Sequence, residues 1–516
     1  MSNSSAADRD RELVLAIDVG TSSVRALACD AEGNAIPVTE TQRSYRLHTT
    51  RDGGAEYDAT ALFELLCDVI DETLATVNDE SATFIAVGVT SFWHSLLGLD
   101  KDRNPVTPLY FWADSRADQT IDGIKRQRDL DRIWQRTGCR LHSSYWPAKL
   151  HWLRESQPRL SGEVDRWVSF TEYVHCQLTG EAAPVMSFSM ASGTGLLDVH
   201  ELVWDDELLA VLGVEPAKLP ALVDIDHRAV VNRHFSRRWR ALQDVPWIPA
   251  LGDGACANVG SAAIGPGRIT LTLGTSGAMR MVLPAPPGST WSVPAGLWAY
   301  RLDREYVVLG GALSNGGNVR RWISDLTGLQ MTVENTAAIA ALPADGHGLT
   351  ILPFVAGERS PGWHGSATGL INGLTLASTP IDLARATLEA VAYRFARIYD
   401  ALLPIAASPH QIVANGGAIV SSPEWTQIIA STLGHDILAL PAGDEATARG
   451  AAIMALRSVG ALSSLDAAPD PSREATRFAP SAADHSRYQA GRRRQESLEA
   501  MLYPAADLDG RNDEEW

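Results

Sequence analysis

Two short segments combine backbone freedom with oxygen donors. The first, Ile17-Asp18-Val19-Gly20-Thr21-Ser22-Ser23, follows an apolar run and leads into Val24-Arg25-Ala26-Leu27. The second, Leu271-Thr272-Leu273-Gly274-Thr275-Ser276-Gly277, comes about half the chain later and leads into Ala278-Met279-Arg280-Met281. Each reads as a strand, a tight turn and a returning strand. Glycine allows close approach to a ligand, and Thr and Ser place hydroxyls beside freed backbone N–H groups, so such a turn can form an anion-binding concavity. One Gly-Thr-Ser turn is an ordinary hairpin. Two in matching settings read as a duplicated phosphate clamp.

Carboxylates and rings elsewhere could act on what such a clamp holds. In Gly252-Asp253-Gly254 a carboxylate stands between two glycines where a strand meets a small-residue helix. It reads as a catalytic group or as a plain helix N-cap. His94, in Thr90-Ser91-Phe92-Trp93-His94-Ser95, ends a buried-strand pattern, where the ligand crevices of open α/β sheets lie; the alternative is a satisfied core histidine. The run Phe111-Trp112-Ala113-Asp114-Ser115-Arg116-Ala117 brings together a flat aromatic surface, a carboxylate and a guanidinium, the parts of a sugar site. A helix start with Asp114 near its N-terminus explains the same residues. Trp146 and Lys149 lie in a segment that could line the same cleft. Glycine-rich strand ends at 252, 274, 310 and 416 suggest several loops converging on one ligand.

The elements that must position these groups follow from apolar spacing. Strands are predicted over 13–19, 24–29, 84–89, 96–99, 245–251, 306–309 and 411–414. Helices are predicted over 59–77, 319–326, 382–402 and 423–433, with another opened by Asp444-Glu445, and 118–244 reads as helix-rich. A chain of 516 residues is too long for one core and calls for more than one domain. The expected division is 12–247, 248–460 and a tail 461–516, in which 485–502 reads as one charged helix and 507–516 as frayed. The net charge of −18 argues against nucleic acid or an anionic membrane as main partner. Phosphate must then be handled by local dipoles, a few cations and a metal. The five scattered cysteines suggest neither a disulfide framework nor a zinc site. With a polar start and no apolar run near 20 residues, the chain reads as cytoplasmic.

Together these segments resemble the FGGY carbohydrate kinases, within the superfamily of actin, hexokinase and the heat-shock ATPases. The matching pieces are Asp18-Val-Gly-Thr-Ser-Ser, Trp112-Ala-Asp-Ser-Arg, Gly252-Asp253-Gly, Gly274-Thr-Ser, Gly310-Gly311, Gly357-Glu-Arg-Ser-Pro, Gly373-Leu-Thr and Gly416-Gly417-Ala, in family order over roughly 12–458. The resemblance implies an α/β fold of two ribonuclease-H-like domains flanking a deep cleft. It also implies ATP-dependent phosphorylation of a sugar or polyol hydroxyl, with Mg²⁺.

By resemblance, Asp253 is the general base and contacts the substrate, and Asp18 and Asp253 hold the metal. Gly20, Thr21, Ser22 and Arg25 face the outer phosphates, and Gly274 and Thr275 clamp them from the second domain. Gly311 and Asn315 touch the inner phosphates or ribose, and Gly416, Gly417 and Ala418 pass beneath the adenosine. Trp93, His94, Trp112, Asp114 and Arg116 contact the sugar. Gly311-Ala-Leu-Ser-Asn-Gly-Gly-Asn-Val and Gly357-Glu-Arg-Ser-Pro-Gly-Trp-His look most like gluconate kinases. A gluconate carboxylate would want a cation, for which Arg116, Lys149 and Arg359 are candidates. D-xylulose and L-ribulose are the alternative substrates, and a sensor of the same fold without transfer is the alternative of another class. Many members carry Met where Trp93 stands, and Asn415 replaces an acidic or glycine residue. A homodimer is a family expectation.

Overall fold

Val14, Leu15, Ala16 and Ile17 are consecutive and all fully buried, as befits a strand covered on both faces rather than an amphipathic edge. They belong to β1 (Arg11–Val19), which is followed by β2 (Ser23–Asp30), β3 (Thr41–Ser44), α1 (Ala59–Thr76), β4 (Ala82–Ser91), α2 (Phe170–Thr179) and β5 (Leu251–Gly252). Next come α3 (Asp253–Gly260), β6 (Arg268–Leu273), β7 (Gly277–Pro284), β8 (Trp298–Arg301), β9 (Tyr306–Leu313), α4 (Gly317–Thr327) and α5 (Pro380–Leu402). The chain continues through β10 (Gln411–Asn415), α6 (Gly417–Ser421), α7 (Pro423–Leu433), β11 (Ile437–Ala439), α8 (Ala446–Val459), β12 (Thr476–Phe478) and α9 (Ala482–Leu502). This computed structural model describes residues 11–77, 82–125, 129–441 and 445–504.

The first sheet runs β3-β2-β1-β4-β5, with β1 antiparallel to β2 and β2 to β3, and with β4 parallel to β1 and β5 to β4. The second repeats the plan as β9-β7-β6-β10-β11, extended by β8 beyond β9 and by β12 beyond β11. Here β6/β7 and β7/β9 are antiparallel, and β10 and β11 continue parallel. Two copies of one ribonuclease-H-like topology explain why the Gly-Thr-Ser turn recurs: it is the β1/β2 turn in one sheet and the β6/β7 turn in the other. The segment 118–244 is helix-rich, as its spacing predicts, and adds short strands that the spacing does not predict.

Several expectations are revised. The strand predicted over 306–309 runs on to Leu313, so Gly310 and Gly311 are not a strand end but lie inside β9, opposite Arg280 and Met279. The expected boundary between 247 and 248 falls within the first sheet, because Leu251 and Gly252 pair with Thr90 and Ser91 of β4. The tail does more than strap the surface: β12 pairs with β11, and α9 buries Tyr488, Gln495 and Glu499. Asp444 and 507–516 lie outside the described residues. Among the described residues no helix is long and apolar enough to cross a membrane.

The two halves are joined where α3 crosses α8 over the first sheet. A Cβ on Gly260 would stand 1.8 Å from the Ala446 carbonyl oxygen, one on Gly450 1.9 Å from that of Cys256, and one on Gly88 2.3 Å from that of Ala451. None of these glycines has positive φ, so closeness of backbones, not conformation, requires them. Gly450→Ala should therefore destabilise the protein by about 1–3 kcal/mol, read from urea unfolding. Loss of less than about 0.5 kcal/mol would show that the crossing can relax.

Candidate active site

Asp253 is the first residue of α3, and Gly252 before it takes the N-cap position, so the carboxyl does not cap its own helix. Its Oδ1 accepts from the Gly254 N–H at 2.6 Å. Burial raises its pKa, and the charges of Arg280 and Arg359 oppose that rise. Asp18, near the end of β1, is pushed up to about 7, first by burial and then by the negative charge of Asp253, with Arg25 opposing. The negative charge of Asp253 raises the proton affinity of Asp18, and a hard divalent cation between two such carboxylates would offset it.

Asp253 sits at the inner end of connected cavities, whose lining does not include Asp18. The innermost, about 160 Å³, is lined by Asp253 with Trp93, His94, Trp112, Arg280, Tyr300 and Arg359, among others. An outer cavity of about 630 Å³ shares Thr21, Trp112, Ser276 and Arg359 with it and adds Ser22, Thr275 and Asn318. A third space of about 580 Å³ lies against the second sheet, where Gly274, Thr275, Gly317, Arg320, Gly417 and Ala418 form its wall. Thr275 thus borders both the outer cavity and the third one. Gly416 starts α6 with φ of 104°, and a Cβ there would meet the Leu273 carbonyl oxygen at 2.5 Å. Only glycine fits. Gly20 and Gly274, by contrast, have ordinary φ, and their turns close by Gly20 N–H donating to the Ser23 carbonyl and Gly274 N–H to that of Ser276.

The inner cavity is largely aromatic. The Trp93 ring lies over Gly252 and Gly254, donates its Nε1–H to the Ser189 carbonyl at 2.9 Å, and tilts against Tyr300 with centroids 4.6 Å apart. The indole Nε1–H of Trp112 donates to Thr21 Oγ1 at 3.1 Å, and the Arg359 guanidinium covers the Trp112 ring at 5.1 Å. Among the described residues, buried Arg359 Nε has no hydrogen-bond partner and no carboxylate pairs with this side chain. Its loop is held from behind. Glu358 accepts from Arg394 on α5 at 2.5 Å and from the N–H groups of Gly362 and His364, while Arg394 also pairs with Glu499 on α9. The tail therefore anchors the loop that carries Arg359.

Arg280 and Tyr300 are cavity residues that sequence reasoning missed, along with Trp298, Gly317 and Arg320. They come from strands and a helix of the second half whose local patterns look like core. Arg280 donates from Nη2 to Thr272 Oγ1 at 2.7 Å and from Nε to Asn258 Oδ1 at 3.1 Å, fixing its charge beside Asp253. Other predicted residues are placed elsewhere. Asp114 and Arg116 line none of these cavities; Arg116 binds Asp114 and Glu56 and stacks on Trp152, while Asp114 also accepts from the Ala55 N–H. Lys149 donates to the carbonyls of Ser143 and Ser144, and Trp146 to that of Ser95. Arg25 is ion-paired with Glu40 and Glu445. Gly311 backs onto Ile398 of α5, and Asn315 spends its amide on the Gly357 carbonyl and the Ala356 N–H.

A chain with two ribonuclease-H-like sheets, a glycine-rich cleft and a carboxylate at its floor has the architecture of a phosphotransferase. It belongs to the FGGY family of carbohydrate kinases, matching that family's N-terminal domain over residues 13–260 and its C-terminal domain over 269–459. It is 27% identical to a gluconokinase of Bacillus licheniformis over 483 residues, 90% of this chain and 91% of that one. A glycerol kinase of Rhizorhabdus wittichii is 30% identical over 465 residues, 87% of this chain and 89% of that one. The fold superposes on a gluconate kinase from Lactobacillus acidophilus with TM-score 0.86 and 25% identity, covering 97% of this chain and 99% of that one. A xylulose kinase from the same organism gives TM-score 0.86 and 25% identity, covering 96% and 99%.

His94 has φ of 74°, its Nδ1 contacts the Gly193 carbonyl, and burial lowers its pKa to about 3. The folded protein thus binds fewer protons than the unfolded chain below the unfolded value of 6.5. The stability this contributes is complete above that pH and declines as pH falls toward 3. The His94 ring resonances should accordingly stay constant from pH 8 to 5. A titration centred near 6.5 would contradict this environment.

Proposed function

We propose that the enzyme transfers the γ-phosphoryl group of ATP to D-gluconate, giving 6-phosphogluconate. The observation carrying the substrate class is Arg359, a guanidinium in the inner cavity without a carboxylate partner among the described residues. Arg116 and Lys149, the other candidate cations, are already occupied. Arg359 is half-buried, and an anionic group of the substrate would offset the desolvation of its guanidinium. The similarity to gluconate kinases in sequence and fold supports the same substrate.

In this reading the sugar acid lies along the aromatic wall with its carboxylate at Arg359 and its acceptor hydroxyl at Asp253. Asp253 accepts that hydroxyl's proton as the oxygen attacks the γ-phosphorus. Arg280 stabilises the deprotonated state of Asp253 until then. The hydroxyls of Thr21 and Thr275 flank the path of the transferred group, and Gly417 and Ala418 form the floor beneath the nucleoside. Asp18 and Asp253 would hold Mg²⁺, which supplies charge neutralisation on the phosphates. Closure of the two halves would exclude water from the γ-phosphate.

The xylulose kinase of equal structural similarity favours a second reading, a pentulose acceptor. A neutral pentulose has no use for an unpaired guanidinium. Gluconate-dependent ADP release should fall by at least about 10³-fold in Asp253→Asn with ATP binding retained. In Arg359→Gln, KM for gluconate should rise about tenfold or more, the loss of a charge-assisted contact. Unaltered gluconate kinetics in Arg359→Gln would remove the sugar-acid assignment, and unaltered turnover in Asp253→Asn would remove the base.

A further inference from the structure

Away from the cleft, three ligating side chains converge on the flank of the first half. His175 stands on α2, Glu181 follows directly after that helix's left-handed cap Gly180, and His227 lies in the turn after the strand Ala221–Val223. His175 Nε2 is 3.1 Å from Glu181 Oε2, and His227 Nε2 is 3.6 Å from Glu181 Oε1. One ligand atom from each residue falls within 4.8 Å of the others. Ligands around tetrahedral zinc at about 2.0–2.1 Å are about 3.3 Å apart, so both measured separations bracket the edge of such a site.

The surrounding hydrogen bonds preset this geometry. Thr179 Oγ1 donates to the His175 carbonyl at 2.8 Å and accepts from the Glu181 N–H at 3.2 Å, turning the chain so that Glu181 comes back beside His175. Arg103 donates to the Glu181 carbonyl at 2.8 Å, and Asn232 ties the chain after His227 to the end of α2 through the carbonyls of Gln177 and Leu178. The Glu181 carboxylate has no Lys or Arg partner among the described residues. The buried Nε2 of His227 has no hydrogen-bond partner among the described residues. A second cluster shows the contrast. At Asp345, His347 and Glu389, the acids are already matched by Arg494 and Arg385, and His347 Nδ1 accepts from the Leu349 N–H. That cluster is a closed network, whereas the first leaves a lone pair unused.

We propose that His175, Glu181 and His227 bind a Zn²⁺ ion, with water in the fourth position. Two imidazoles and one carboxylate form a donor set zinc favours. The partial exposure of Glu181 and His227, 34% and 27% of their side chains, leaves room for that water. The ion joins the C-terminal end of α2 to the turn before β5's approach, so its effect is on stability. None of the three ligands lines a cavity of the cleft.

The test is equilibrium dialysis of tag-free, chelator-stripped protein against Zn²⁺, with thermal unfolding in parallel. One ion per chain should bind and raise Tm in a concentration-dependent way. His227→Ala and Glu181→Gln should each weaken binding at least about tenfold and abolish the Zn²⁺-dependent rise, while His347→Ala leaves both unchanged. Circular dichroism of the zinc-free variants should match that of the stripped wild type, excluding misfolding as the cause. Equal Zn²⁺ affinity in His227→Ala and wild type, or no rise in wild-type Tm with Zn²⁺, would overturn the proposal.

Discussion

The cleft depends on backbone meeting backbone where α3 crosses α8. Side chains at Gly260 or Gly450 would force these helices apart, and Asp253 is the first residue of α3. The crossing thus fixes the height of the carboxylate relative to both sheets. It also ties the last helix of the second half to β1 and β4 of the first, because Gly88 of β4 admits the Ala451 carbonyl. This crossing is a close backbone-to-backbone link between the two halves. Small residues here serve closeness rather than flexibility.

From that crossing the rest of the site follows by layers. The duplicated topology brings two Gly-Thr-Ser turns to the cleft from opposite sides, one beside Asp18 and the other beside the third cavity. Trp93, Trp112 and Tyr300 line the inner cavity beside Asp253, and burial holds the pKa of His94 low. Arg359 reaches the same wall on a loop anchored through Glu358 and Arg394 to Glu499. A charge network whose Glu358 borders the outer cavity, backed by Arg394 and Glu499, therefore sets the position of the loop that carries Arg359.

Much of this was legible in the sequence where function is local. Asp18, Thr21, Gly274, Thr275 and Asp253 sit in short motifs readable without knowledge of the fold, and all but Asp18 line the cavities of the cleft. Repetition of a turn predicted repetition of a domain. What was not legible depended on distant partners. Arg25 looks free in its motif but meets Glu445 from the far end of the chain. Asp114 and Arg116 look like sugar ligands, yet they satisfy each other two residues apart and bury the pair with Glu56. Gly310 and Gly311 resemble a loop but let β9 pack against neighbouring chain segments. Arg280 and Tyr300 alternate with core residues along their strands, so periodicity hides their inward polar ends.

The most direct measurement is coupled ADP release with Mg·ATP across gluconate, xylulose, ribulose, glycerol and fuculose. The account predicts strong turnover with gluconate alone. Turnover with a pentulose or glycerol and none with gluconate would contradict the role given to Arg359, and absence of acceptor-dependent ADP from folded, ATP-binding protein would contradict the account as a whole.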